Sequence, residues 1–342
     1  MNNEQKNELR KTLGTLPEQT PEISMEDFNK YPNDKTTWIK NKFGIKVGPF
    51  QFYEGVRGVT AEMIDYPKNP YRLLFEFAVA TWGSEEYPTM WQKTKPEQRF
   101  IVVKNVLENK ALPLGNEALQ FSFIIRGPSR AAFDQHARMR IGATFASQGV
   151  RDNSRLLSGF RVPNEIWRDI QKREEIISSA LWIKKVYYLM LKSGEGNSYQ
   201  AARCIMPMGW THNYKFSVNY MALKGYMARR LVASEQEDTV ATAISIWNKI
   251  NQEFPLLANY LRPKCDWAGK CICNSSELFG ALFKGCGRFP ETEGDYATFN
   301  WACTSYDSLE EQLHIHLPNP DEWKNYTSLD SLRKSDKLLF EE

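Results

Sequence analysis

The chain has 342 residues, of which 42% are hydrophobic and 13% aromatic, and this composition excludes a wholly disordered protein. Lys and Arg together exceed Asp and Glu by only three, which argues against a protein that grips nucleic acid along a basic surface. No run of about 18 apolar residues occurs, so no membrane span is expected. The first residues lack the apolar stretch of a secretory signal, and the expected location is therefore cytoplasmic.

Hydrophobic periodicity and the positions of Gly and Pro predict three regions. Residues 1–35 are polar without a sustained apolar period and are predicted to form a flexible N-terminal arm. Residues 36–262 alternate between strand and helix patterns and are predicted to form the main domain, an α/β fold with helices packed on a mixed sheet. Residues 263–342 form a Cys-containing C-terminal extension. The predicted strands cover 58–66, 120–126 and 213–218, and the predicted helices 71–82, 96–110, 129–144, 163–192, 198–206, 219–233 and 237–261.

Arginine is concentrated in one segment of the predicted domain. Between Arg126 and Arg161 there are seven arginines, no lysine and only two acidic residues. Arginine without lysine is typical of sites that hold phosphate or carboxylate with two-point geometry. The alternative is a set of structural ion pairs or a subunit contact, since Arg is also common in interfaces.

The order of motifs in this segment resembles the flavin-dependent thymidylate synthases. The strand Phe121-Ser122-Phe123 is followed by a segment similar to that family's signature R-H-R-x-x-S-x-N-E-x-S-x-R-Y with a preceding Gln. The matching residues are Gln135, Arg138 and Arg140, and Ser147-Gln148-Gly149-Val150-Arg151 matches the end of the signature if one residue is inserted. The family's central His is Met139 here, its first Ser is Ala143, and its Asn-Glu is Phe145-Ala146.

A second group of motifs extends the resemblance to about residues 55–260. Ala202-Arg203-Cys204-Ile205-Met206-Pro207 resembles the family's A-R-x-x-L-P turn, and Asn219-Tyr220-Met221-Ala222-Leu223 resembles its N-x-R-x-L helix start, with Met221 in place of Arg. The later helix Arg is Arg230, and the family's Gln-Trp-Glu becomes Gln236-Glu237-Asp238. Asn219 and Arg230 are 11 residues apart, which places them on one helical line with Tyr226 between them.

The resemblance implies a function, cofactors and residue roles. The implied reaction is C5 methylation of dUMP to dTMP, with carbon from methylene-tetrahydrofolate, hydride from reduced flavin adenine dinucleotide (FAD) and NADPH as reductant. The catalytic residue would be Arg230, which would polarise the pyrimidine. The implied nucleotide-binding residues are Gln135, Arg138, Ser147, Gln148, Gly149 and Arg151, and the implied FAD-binding residues are Arg138, Arg140 and Asn219. The family is homotetrameric with sites shared between subunits, and the same is expected here.

Two alternatives to this function stay open, and a third is disfavoured. The departures from the motif allow hydroxymethylation, or action on dCMP, for the synthesis of modified-base nucleotides. They also allow a noncatalytic relative that keeps the fold for nucleotide binding. A zinc-stabilised protein that binds nucleic acid is the third, and the near-neutral charge disfavours it.

Four cysteines in the extension suggest a metal site. Cys265, Cys271, Cys273 and Cys286 form C-x5-C-x-C-x12-C, a spacing that could build a tetrahedral structural zinc site. The pattern lacks the C-x2-C pairs of common zinc folds. Reduced, buried thiols are therefore the alternative.

Overall fold

The computed structural model describes residues 51–80, 83–147, 159–192, 202–271, 286, 288–289, 306–323, 332 and 337–340. The chain divides into two compact units, and each is built from several stretches of sequence. The described residues of the first unit lie within 51–58, 127–134 and 147–213, and those of the second lie within 59–126, 135–146 and 214–340.

Strands and helices alternate along the described residues. The strands are β1 (Gln51–Glu54), β2 (Thr60–Asp65), β3 (Gln120–Arg126), β4 (Ala143–Ser147), β5 (Gly159–Val162) and β6 (Tyr214–Asn219). The helices are α1 (Pro70–Val79), α2 (Tyr87–Lys93), α3 (Pro96–Leu107), α4 (Leu114–Ala118), α5 (Arg130–His136), α6 (Asn164–Arg168), α7 (Ile170–Lys192), α8 (Tyr220–Arg230), α9 (Glu237–Glu253), α10 (Pro255–Ala258), α11 (Lys264–Ala268) and α12 (Tyr306–Leu313). Short 3-10 turns occur at Arg203–Ile205 and Lys337–Leu339.

The first unit contains a two-stranded parallel sheet in which β1 pairs with β5. Arg161 on β5 is almost fully buried and donates to the backbone carbonyls of Gly55, Arg57 and Gly127. Because buried carbonyl groups need donors, this guanidinium satisfies three carbonyls in two loops at once. In the described structure Arg161 therefore connects the backbone at residues 55–57 with that at Gly127.

The second unit contains a four-stranded sheet in the order β2-β3-β6-β4. Strand β3 pairs antiparallel with both β2 and β6, and its inward residues Phe121, Phe123 and Ile125 are fully buried. Helix α9 packs along β2, and the hydroxyl of Ser245 on α9 donates to the carbonyl of Val59 at 3.4 Å. Apolar residues on both the sheet and α9 thus form the core of this unit.

The expected α/β fold is confirmed, with parallel and antiparallel pairings in separate sheets. Strand β3 has the predicted bounds, Gln120–Arg126. The predicted helix 129–144 was wrong beyond His136, because Gly142 has a positive φ of 70° and residues from Ala143 onward form an edge strand. The predicted helix 163–192 is divided at Asp169, and the predicted helix 237–261 is divided before Pro255, which has no N–H to continue the first helix.

The described part of the C-terminal extension belongs to the second unit. Asp266 accepts hydrogen bonds from Arg288 Nε and from Trp323 Nε1, both at 2.6 Å, and the ion pair with Arg288 is buried. Tyr306 donates from its hydroxyl to the carbonyl of Leu231, directly after α8. The predicted domain limits at 35 and 262 stay predictions, and the predicted arm lies outside the described residues. No helix in the described part of the chain is long and apolar enough to cross a membrane.

Candidate functional site

Helix α8 carries Arg230 on its last turn, is capped at its start and is buried along one face. The side chain of Asn219 caps its start by accepting from the Ala222 N–H at 2.8 Å. Leu223 and Met227 are fully buried and hold the helix on the core. Arg230 is therefore the last helical residue of a well-anchored element.

The guanidinium of Arg230 is held by Glu235 and Gln135. We call these three residues the Arg230 cluster. Nη1 lies 2.5 Å from the Glu235 carboxylate, and Nη2 donates to the backbone carbonyl of Gln135 at 2.6 Å. The side chains of Arg230 and Glu235 are only 16% and 26% exposed. Two attachments through different nitrogens fix the plane of a guanidinium, because rotation would break one of them.

Both ends of the Gln135 side-chain amide are held by the region where α9 begins. Its Nε2 donates to Gln236 Oε1 at 2.9 Å, and its Oε1 accepts from the Thr239 hydroxyl at 3.2 Å. The structure thus brings together two residues that the sequence placed in one site, Gln135 and Arg230. Their contact runs through the backbone of Gln135.

A buried histidine next to Gln135 completes the interior of this site. The hydroxyls of Tyr214 and Tyr226 lie 2.7 and 3.0 Å from His136 Nδ1. Burial, with a smaller effect from the charge of Arg230, lowers the pKa of His136 to about 3, so the imidazole is neutral near pH 7. His136 Nε2 is buried and has no hydrogen-bond partner among the described residues. The sequence analysis missed this residue, and only its position beside Gln135 could have indicated it.

The arginine loop, residues 137–142, follows the same helix α5. The side chains of Arg138 and Arg140 are exposed, and neither forms an ion pair within the described residues. The loop ends against the start of α8, where the Asn219 N–H donates to the Gly142 carbonyl at 2.9 Å. Of the three residues predicted to bind flavin, Arg138 and Arg140 therefore lie on this loop, and Asn219 contacts its end.

Three other arginines of the segment have structural partners. Arg126 pairs with Glu62 at 2.8 Å, Arg130 pairs with Asp134 at 3.0 Å, and Arg161 binds backbone carbonyls. The alternative of structural ion pairs thus accounts for two of these arginines, and backbone hydrogen bonds account for the third. Ser147 is exposed at the end of β4 and belongs to the first unit. Gln148, Gly149 and Arg151 lie outside the described residues.

Three of the four cysteines of the predicted zinc site are described. Cys265 and Cys271 are buried and pack with Phe289, and the Cys265 thiol lies 3.6 Å from Asp266, whose carboxylate already binds Arg288 and Trp323. Within the described residues, no three His, Cys, Asp or Glu side chains are grouped to hold a metal ion. Cys286 is also described, whereas Cys273 lies outside the described residues. Among the described residues no zinc ligand set is found, and a site that includes Cys273 stays a prediction.

Comparison with known proteins identifies the family. Residues 62–256, more than half of the chain, match the profile of the family described as "Thymidylate synthase complementing protein". No curated protein shows significant similarity to the chain. Among solved structures, the UMP/dUMP methylase PolB from Streptomyces cacaoi with 5-Br dUMP is similar, with 16% identity and a TM-score of 0.49 over 61% of this chain and 96% of that chain. PolB with 5-Br UMP gives 13% identity and a TM-score of 0.47 over 62% and 95%. The matched residues include the Arg230 cluster and the arginine loop, and the chain belongs to the thymidylate synthase complementing proteins, the flavin-dependent thymidylate synthase family.

Proposed function

We propose that the chain methylates C5 of dUMP to give dTMP in a flavin- and folate-dependent reaction. The observation that carries the proposal is the enclosed guanidinium of Arg230, held at 2.6 Å to the backbone of Gln135 in a member of this family. An oriented cation in a partly enclosed site stabilises negative charge that develops on a bound ring more than water does. Arg230 would act on the pyrimidine in this way.

The residues of the arginine loop fit a flavin in part. Arg138 and Arg140 project from an exposed loop without ion pairs among the described residues, so their charges are available to a diphosphate. Asn219 uses its side-chain oxygen to cap α8, which leaves its amide nitrogen to donate. When bound, reduced FAD, itself reduced by NADPH, would supply the hydride that converts the methylene unit of methylene-tetrahydrofolate to a methyl group as tetrahydrofolate is released.

The remaining side chains would position the nucleotide. Gln135 holds a fixed orientation because both ends of its amide are bound. His136 stays neutral beneath the cluster, so it adds no second positive charge that would compete with Arg230 for the same anion. In the proposed reaction the proton leaves C5 as the new carbon–carbon bond is completed, and the chain's task is to orient and polarise the ring.

A variant of this reaction is the second candidate, and the altered motif favours it. Met139 and Met221 stand where the family has His and Arg, so apolar side chains replace charged or polar ones beside Arg138 and at the start of α8. Such changes would accompany a different carbon transfer or base, namely hydroxymethylation or action on dCMP. A noncatalytic nucleotide-binding relative is the outcome if no flavin binds.

The test combines cofactor binding with product identification. The purified chain would be titrated with FAD and followed by its visible absorbance, then incubated with dUMP or dCMP, methylene-tetrahydrofolate, FAD and NADPH. Mass spectrometry of the nucleotide identifies the product. A gain of one methyl group on dUMP supports the proposal, whereas a hydroxymethyl gain or a preference for dCMP supports the variant. Absence of flavin binding and of any product would leave the noncatalytic relative.

We also propose that the chain forms a homotetramer with shared sites. The proposal is supported by membership of this family, for which the resemblance implies sites shared between subunits. Ile141, directly after Arg140, is 90% exposed and could be covered in such an assembly. Light scattering at micromolar concentration tests this proposal. A monomeric mass would contradict it.

A further inference from the structure

Glu235 belongs to none of the motifs in the sequence, and the fold places its carboxylate against Arg230. It lies in the short connection between α8 and α9. Two backbone hydrogen bonds shape this connection, from Leu231 N–H to the Met227 carbonyl at 3.0 Å and from Glu235 N–H to the Val232 carbonyl at 3.0 Å. The turn therefore brings the carboxylate back to the residue at the end of α8, where it lies 2.5 Å from Nη1.

The two contacts of Arg230 leave donors for a ligand. A guanidinium has five N–H donors, of which Glu235 and the Gln135 carbonyl use two. The other three have no acceptor among the described residues. Arg230 could thus bind a pyrimidine carbonyl while both of its present contacts stay intact, so ligand binding need not compete with Glu235.

A neighbouring carboxylate could instead act as a brake by cancelling the charge of Arg230. The surroundings argue against this alternative. Arg230 lowers the pKa of His136. At Tyr226, where burial raises the pKa and both charges act, the lowering of the pKa by Arg230 is larger than the raising by Glu235. The positive field of Arg230 therefore still reaches the interior of the cluster. Together with the two-point attachment, this favours orientation of the guanidinium over neutralisation.

We propose that Glu235 is a positioning residue that orients Arg230 toward the pyrimidine. The inference rests on the proposed function, in which Arg230 polarises the ring. An arginine side chain has several rotatable bonds, and a small misplacement of a polarising group lowers the rate far more than it lowers substrate affinity. Glu235 would thus act on turnover without touching the substrate.

The kinetic test compares Glu235→Ala, Glu235→Gln and the control Glu253→Ala, which removes an exposed carboxylate at the end of α9. We expect Glu235→Ala to lower kcat about tenfold or more with the KM for dUMP within about threefold. Glu235→Gln should restore most of kcat, since its amide oxygen still accepts from Arg230. The control should match the wild-type chain. Unchanged or increased kcat in Glu235→Ala, or no rescue by Gln, would overturn the proposal.

A second measurement reads the position of Arg230 without turnover. In protein with labelled arginine, the guanidinium resonances of Arg230, assigned with Arg230→Lys, should show hindered rotation in the wild type and in Glu235→Gln. They should show free rotation in Glu235→Ala. Unchanged resonances in Glu235→Ala would overturn the proposal even if kcat falls. If the wild-type chain converts no pyrimidine nucleotide, the proposed function fails first, and the role of Glu235 in that reaction fails with it.

Discussion

The arginine loop and the Arg230 cluster lie in the same unit, yet they use arginine in opposite ways. Arg138 and Arg140 project from residues 137–142 with no ion pair in the described structure. Arg230 is largely enclosed and bound to both Glu235 and Gln135. An exposed charge without an ion pair can bind a charged ligand without first breaking a contact within the protein. An enclosed, paired charge is instead oriented before the substrate binds. The loop should therefore determine cofactor affinity, and the cluster should determine rate.

The largest expected effect is on the rate when Arg230 is replaced. Arg230→Met should lower kcat on the order of a hundredfold or more with a much smaller change in dUMP affinity, because the charge it stabilises develops during the reaction. Arg229→Met is the matched control, since Arg229 is exposed on the same turn of α8. Steady-state kinetics and calorimetric dUMP titration separate the two effects. Equal losses in both variants would contradict a special role for Arg230.

A smaller effect is expected on FAD binding when the loop arginines are replaced. Arg138→Met and Arg140→Met should each weaken FAD binding by about 1.5–3 kcal/mol, the value of a hydrogen bond to a charged group. The melting temperature should stay the same, since neither side chain has an ion pair to lose within the described residues. Absorbance titration and thermal unfolding measure the two quantities. Loss of stability with intact FAD binding would reverse the contrast between loop and cluster.

His136, which is buried beside the Arg230 cluster, should also make stability depend on pH. A His pKa lowered from 6.5 to about 3 means that the unfolded chain binds a proton that the folded chain does not, so stability is lost as the pH falls below about 6.5. The His136 contribution amounts to about 2 kcal/mol between pH 7 and pH 5. His136→Asn keeps an acceptor near Tyr214 and Tyr226 but cannot be protonated there.

Urea unfolding at pH 7 and pH 5 tests this contribution. The wild-type chain should lose more free energy of unfolding than His136→Asn, which also corrects for His212, whose pKa burial lowers to about 4. The same dependence on pH in both proteins would show that the folded chain protonates His136 as readily as the unfolded chain does, which would contradict the lowered pKa.

Local patterns in the sequence predicted the elements but not how the arginines are used. Strand β3 was predicted with its exact bounds, because its apolar run ends at Gly127-Pro128. The end of α5 was not, because the positive φ of Gly142 and the pairing of β4 in the sheet decide it, and neither is visible in the local pattern. Arg161 binds carbonyls that are up to 106 residues away in sequence, and no local spacing could indicate such partners.

The difference between local patterns and distant contacts also explains which site residues could be predicted. The resemblance placed Gln135 and Arg230 in one site from the order of motifs, and the structure joins them. Glu235 and His136 were missed because their roles come from the turn after α8 and from burial against two tyrosines. Roles that depend on distant contacts need the fold before they can be assigned.

The smallest effects are expected from replacing two glycines, Gly142 in the arginine loop and Gly225 in helix α8, which the loop contacts. Gly142 has a φ of 70°, and an added Cβ would lie 2.7 Å from Asn219 Nδ2 and 2.8 Å from the Ala222 Cβ. Gly142→Ala should therefore cost about 1 kcal/mol or more of stability and weaken FAD binding, because the loop would move away from the start of α8. Gly225 lies inside α8 with nothing within 4 Å of an added Cβ, so Gly225→Ala should instead raise stability by about 0.5–1 kcal/mol. Thermal unfolding and FAD titration of both variants measure this opposite pair. If Gly142→Ala were neutral in both measurements, the contact between the arginine loop and Asn219 would have no part in shaping the cofactor site.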